Sequence, residues 1–119
     1  MRIETAGVAS KKTGCKFGAI VKDGNLKESF VYDVNSEFTL NQIELLAVKF
    51  AIMGVDPDQN VTIATPSQYV SDMLKKGAEG WIRSPKSNVE LINEIRDLLE
   101  ERSVAIVVEK SEEAKDLCK

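Results

Sequence analysis

The chain has 119 residues, the size of one domain, and its 43 % hydrophobic and 29 % charged residues are ordinary for a globular protein. It contains no histidine, which excludes Ser-His-Asp and Cys-His catalysis, H-E-x-x-H zinc sites and any imidazole general base. The formal net charge of −3 argues against strong non-specific nucleic-acid binding, which rests on neutralisation of phosphates by Lys and Arg, and leaves room only for a local basic patch.

No apolar run approaches the ~20 residues that span a bilayer, so no membrane partner is expected. The opening "MRIETAG" lacks the apolar segment of a secretory signal, which predicts a cytoplasmic location. Cys15 and Cys118 lie far apart without C-x-x-C spacing, a pattern that suits a reducing compartment and offers no zinc site.

In chain order, "RIETAG" predicts a first strand with Ile3 and Thr5 on one face and Glu4 and Ala6 on the other. "VASKKTG" reads as a polar loop. "CKFGAIV" and "ESFVYDV" alternate as two strands joined through Asp23-Gly24, a pair favoured in tight hairpins because it tolerates positive φ. "TLNQIELLAVKFAIMGV" follows at helical spacing, with Thr39 and Gln42 as a capping box and Gly54 as the stop. "NVTIAT" reads as a short buried strand. It runs into a helix, "PSQYVSDMLKKG", predicted to start with Thr65 as N-cap, Pro66 at the first helical position and Gln68 completing a second box. After the loop "AEGWIRSPKS", Ser87 and Glu90 cap a long helix with Val89, Ile92, Ile95 and Leu99 in one stripe. "VAIVV" reads as a central, doubly buried strand, and "SEEAKDLCK" adds a short helical tail.

No repeat or linker-like tract interrupts this series, so residues 1–119 read as a single domain. The order β-β-β-α-β-α-α-β predicts an α/β fold: an antiparallel meander continued by parallel strands in one mixed five-stranded sheet, with helices on its faces.

That order and five local motifs resemble the type 1 ribonuclease H family over almost the whole chain. The motifs are Thr5-Ala6-Gly7-Val8, Gly14 with Phe17-Gly18-Ala19-Ile20, Thr39 to Ala47, Thr65-Pro66-Ser67-Gln68-Tyr69-Val70, and "WIRSPKSNVELINEI". The resemblance implies strand order 3-2-1-4-5. It also implies hydrolysis of the RNA strand of RNA–DNA hybrids by two Mg²⁺ ions held by four carboxylates, on the first strand, the first helix, the end of the fourth strand and the last helix. Matched residue by residue, Glu44 is retained and Asp116 is the candidate for the last position, while Ala6 and Pro66 occupy the other two. Glu44 and Asp116 are thus the expected catalytic and metal-binding remnants. Glu4 is no substitute for an acid at position 6, because two strand residues span ~6.6 Å.

Each remnant has a plainer explanation. A glutamate in the first turn of a helix is stabilised by the helix dipole alone, and an acidic tail is ordinarily a solvated face. Pro66 is explained by a helix start. For nucleic acid, Asn41 matches a family position that contacts the hybrid. Lys11, Lys12 and Lys16 crowd the first loop, and Lys75, Lys76, Arg83 and Lys86 flank Trp81, an arrangement that suits phosphate contact and base stacking, or else plain surface around an edge tryptophan.

The expected function is a ribonuclease H-like domain without two-metal catalysis, serving as a nucleic-acid-binding or protein-interaction module. No cofactor is then needed, and the partner is an RNA–DNA hybrid, a structured RNA or a protein. The alternatives are a Mg- or Mn-dependent ribonuclease H using Glu44 and Asp116, and a structural assembly protein whose third strand pairs with another chain despite Lys27 and Glu28.

Overall fold

The computed structural model describes residues 1–10, 14–34, 37–76 and 86–119. Five strands, β1 (Arg2–Ser10), β2 (Gly14–Asp23), β3 (Leu26–Val34), β4 (Asn60–Thr65) and β5 (Ser103–Val108), form one sheet in the order β3-β2-β1-β4-β5. The first three are antiparallel, while β1–β4 and β4–β5 are parallel. The helices are α1 (Leu40–Met53), α2 (Gln68–Lys76), α3 (Lys86–Glu100) and α4 (Glu112–Leu117). Among the described residues no helix is long and apolar enough to cross a membrane. The expected mixed sheet and its strand order are both present.

Alternation along β1 divides the core in two. Ile3 packs with Leu45, Val48 and Ile52 of α1, Val70 and Leu74 of α2, and Ile92 and Ile95 of α3. Ala6, on the opposite face, packs with Ile20, Ala114 and Cys118 under α4. The Cys118 thiol donates to the Ala6 carbonyl at 3.7 Å, and the Ser111 hydroxyl donates to Glu4 at 2.6 Å, so α4 is tied to β1 at both ends.

Several local readings change. β1 continues through Val8, Ala9 and Ser10, which pair with Lys16, Cys15 and Gly14, so strand pairing reaches into both ends of the predicted first loop. β5 is an outer strand and only half-buried, because an unbroken apolar run does not distinguish a central strand from an edge strand covered on one face. The Thr39–Gln42 capping box forms as expected. The second box does not: Ser67 caps α2, its hydroxyl accepting from the Val70 amide at 3.1 Å, while Gln68 turns to Asp72. Thr65 stays on β4, opposite Val108. Pro66 therefore lies outside the helix, where its ring keeps Thr65 extended and ends the strand. α3 begins at Lys86, which puts Ser87 inside the first turn rather than at the cap.

Candidate functional site

The ladder between β1 and β4 runs only from Arg2 to Glu4 on β1 and from Thr62 to Ala64 on β4. Beyond it the strands separate at their carboxyl ends, the usual location of a crevice in a sheet with parallel strands. Here a cavity of about 150 Å³ opens, walled by Ala6 and Gly7 of β1, Glu44 of α1, Pro66 after β4, and Lys110, Ser111, Glu112 and Lys115 at α4.

Glu44 forms the back of this cavity. It is the fifth residue of α1, whose first turn holds no acid, so the helix-dipole explanation fails. The side chain is turned against β1 and is 5 % exposed. The backbone N–H of Gly7 donates to its carboxyl group, yet Oε2 is buried without a partner. Burial pushes the carboxyl up to about 7 from an ordinary 4.5, outweighing the Gly7 hydrogen bond. Gly7 makes this approach possible, since a Cβ there would stand 2.9 Å from Ile43 Cγ2 and 3.4 Å from the Glu44 carboxyl carbon.

The other sequence-derived candidates are only partly gathered here. Ala6 and Pro66 do share the wall with Glu44. Asp116 does not: it is exposed and pairs with Lys119 at 3.1 Å. The helical period decides this, because Ala114 and Cys118, four residues apart, turn to the sheet and carry Asp116 away from it, while Lys115 beside Ala114 reaches the cavity. Lys115, Lys110, Ser111 and Glu112 were not anticipated. The Ala114–Cys118 spacing was the signal that would have found Lys115.

Glu4 is committed elsewhere. It accepts from Ser111, Arg2 and Lys22, and these contacts, led by the Ser111 hydroxyl, hold its carboxyl down at about 2. Asn41 is exposed in the first turn of α1, Lys75 is exposed near the end of α2, and Lys16 is a half-buried residue of β2. Lys11, Lys12, Trp81 and Arg83 lie outside the described residues, as do the side chains of Lys76 and Lys86.

Two hard divalent ions at near-octahedral geometry require several anionic oxygens at fixed positions. On this wall the carboxylates are Glu44 and Glu112, Ala6 and Pro66 contribute carbon, and Lys110 and Lys115 contribute ammonium groups. Among the described residues no cluster of three or more His, Cys, Asp or Glu side chains could hold a metal ion. The described residues of this wall do not fit a pair of cations.

Comparison with known proteins agrees with this architecture. The model of the family described as RNase H matches residues 4–111. A protein named Ribonuclease H from Bartonella tribocorum is 32 % identical over 106 residues, 82 % of this chain and 68 % of the relative. Another of the same name, from Polynucleobacter asymbioticus, is 27 % identical over 97 residues, 75 % of this chain and 62 % of the relative. The chain thus spans about two thirds of the length of these relatives. With the strand order, the match across nearly the whole chain and these relatives together, the chain belongs to the ribonuclease H family.

Proposed function

We propose that this domain binds an RNA–DNA hybrid or a similar duplex across the cavity and the α1 N-terminus, and does not cleave it by a two-cation mechanism. The observation that carries the reading is the wall itself: Glu44, a buried carboxyl group, shares the cavity with Ala6, Pro66, Lys110 and Lys115. A cation pair would have to displace like charge and find ligands that are not there. Lys110 and Lys115 are exposed and carry no ion pair among the described residues, so both are free to meet phosphate oxygens. Asn41, exposed at the start of α1, supplies a neutral donor on the same helix as Glu44. Family membership supports the hybrid as the ligand.

The test combines binding and turnover on one labelled RNA–DNA hybrid. Fluorescence anisotropy is expected to show binding that survives EDTA and weakens with salt. Lys110→Glu and Lys115→Glu should each weaken it, and loss of either phosphate contact should lower the salt slope by about one. Incubation with Mg²⁺ or Mn²⁺ should leave the RNA strand intact. Turnover that disappears in Glu44→Gln would overturn the silent reading, and no affinity even at low salt would favour a structural assembly role.

A further inference from the structure

We infer that β3 is a dimerisation edge: two copies of this chain join their β3 strands antiparallel about a two-fold axis at Phe30, making one continuous ten-stranded sheet from two of five. This is independent of what the cavity binds.

β3 ends the sheet, and all of its residues except Val34 are exposed. Leu26 is 54 %, Phe30 41 %, Val31 43 % and Tyr32 45 % exposed, so apolar side chains stand open on both faces of an unpaired nine-residue edge. Natural sheets seldom leave an edge of this length and character without a partner or cover.

The hairpin determines which backbone groups are free. β2 and β3 are joined by Gly24 and Asn25, with Asp23 paired to Leu26 and Gly24 at φ 62°. A two-residue turn closes on a pair that exchanges both hydrogen bonds, and such pairs recur at every second residue. Leu26, Glu28, Phe30, Tyr32 and Val34 therefore bond to β2, while Lys27, Ser29, Val31 and Asp33 point their amides and carbonyls outward. A second β3 can bond only by setting outward residues against outward residues.

The register that does this over the whole strand is also the one with matched charge. It sets Lys27 opposite Asp33 of the second copy, Ser29 opposite Val31, and Phe30 opposite itself, and two-fold symmetry repeats the Lys27–Asp33 pair. Shifting by two residues puts Lys27 against Val31 or Asp33 against Ser29, loses both ion pairs and shortens the overlap. Asp33 has no ion pair within its own chain among the described residues, whereas Lys27 pairs with Glu113 and would be shared. On the opposite face Leu26, Phe30 and Tyr32 line an apolar groove of about 350 Å³ with Phe17 and Phe50, and Phe17, Tyr32 and Phe50 lie 5.2 to 5.4 Å apart between ring centroids. In the dimer two such grooves adjoin at the Phe30–Phe30 contact and lose their open side.

Sedimentation velocity of the full chain under reducing conditions, from roughly 1 to 300 µM, tests this. A concentration-dependent dimer is expected. Val31→Pro removes an outward amide at no cost to the β2 ladder and should leave a monomer throughout. Asp33→Lys turns two attractive cross-strand pairs repulsive and should weaken the dimer at least about tenfold. Adding Lys27→Asp to it should restore the dimer to within about threefold of the original affinity. A wild-type chain that stays monomeric over the range, or a dimer that both Val31→Pro and Asp33→Lys leave intact, would overturn the assignment.

Discussion

Replacing Glu44 by glutamine should stabilise the protein at pH 8 and leave it nearly unchanged at pH 4. The Glu44 carboxyl is buried, takes one hydrogen bond from Gly7 and leaves Oε2 without a partner, which lifts its pKa from 4.5 to about 7. Below pH 4.5 the folded and unfolded chains both hold the proton and the group is neutral in its effect. Between pH 4.5 and 7 the unfolded chain loses the proton while the folded chain keeps it, so stability falls as pH rises, and the loss is complete above pH 7. At about 1.36 kcal/mol per pH unit the gap corresponds to about 3 kcal/mol. Glutamine preserves the shape and the acceptor for Gly7 but never ionises. It should therefore gain most of that amount at pH 8, roughly 10 °C in melting temperature for a domain of this size. Urea unfolding of both proteins from pH 4 to pH 8.5 measures the difference directly, and a difference that does not grow with pH would refute the buried, unpaired state of Glu44. Repeating the series with about 10 mM Mg²⁺ adds a second check, because an ion bound at Glu44 would stabilise the wild type at pH 8 and spare the variant. No such stabilisation is expected.

Four further outcomes follow from the same geometry. Glu4→Gln should show the opposite pH dependence: with Glu4 held at about 2, its contribution is present above pH 4.5 and is lost as pH falls toward 2, so the variant should be about 2 kcal/mol less stable at pH 7 and match the wild type near pH 2 in urea unfolding. Ser67→Ala should cost about 1 kcal/mol in thermal unfolding, because Ser67 rather than Thr65 satisfies the Val70 amide at the start of α2. Gly7→Ala should cost about 1–3 kcal/mol, since its methyl would meet Ile43 Cγ2 at 2.9 Å, and a neutral result would show that α1 can move off β1. The triple variant Ala6→Asp, Pro66→Asp and Lys115→Asp should gain stability on Mg²⁺ addition that the wild type lacks, measured as a shift in melting temperature.

The architecture was legible because its signals are local. Gly24 marks a two-residue hairpin, although Gly24-Asn25 rather than Asp23-Gly24 forms the turn and Asp23 ends β2 opposite Leu26; Thr39 with Gln42 marks the start of α1, and periods of two and of three to four residues separate strands from helices. Where local signals compete, the reading failed: Thr65 and Ser67 are both good caps, and only the pairing of Thr65 with Val108 on β5 withdraws it from that role. The run "VAIVV" carries no mark of its edge position, since sheet order is set by contacts between distant segments.

The cavity divides in the same way. The sequence by itself determined that this chain offers no imidazole and that positions 6 and 66 carry an alanine methyl and a proline ring in place of oxygen donors, because residue identity decides which donor atoms exist. Only the tertiary structure decided which groups face one another: that Glu44 is buried against Gly7 with an unpartnered oxygen, that Glu4 is tied to Ser111, Arg2 and Lys22, and that α4 presents Lys115 and turns Asp116 to solvent. The reason is geometric, since a rotation of about 100° per helical residue separates Lys115 from Asp116, and the packing of Ala114 and Cys118 on the sheet, many residues distant in the chain, sets the direction of that rotation.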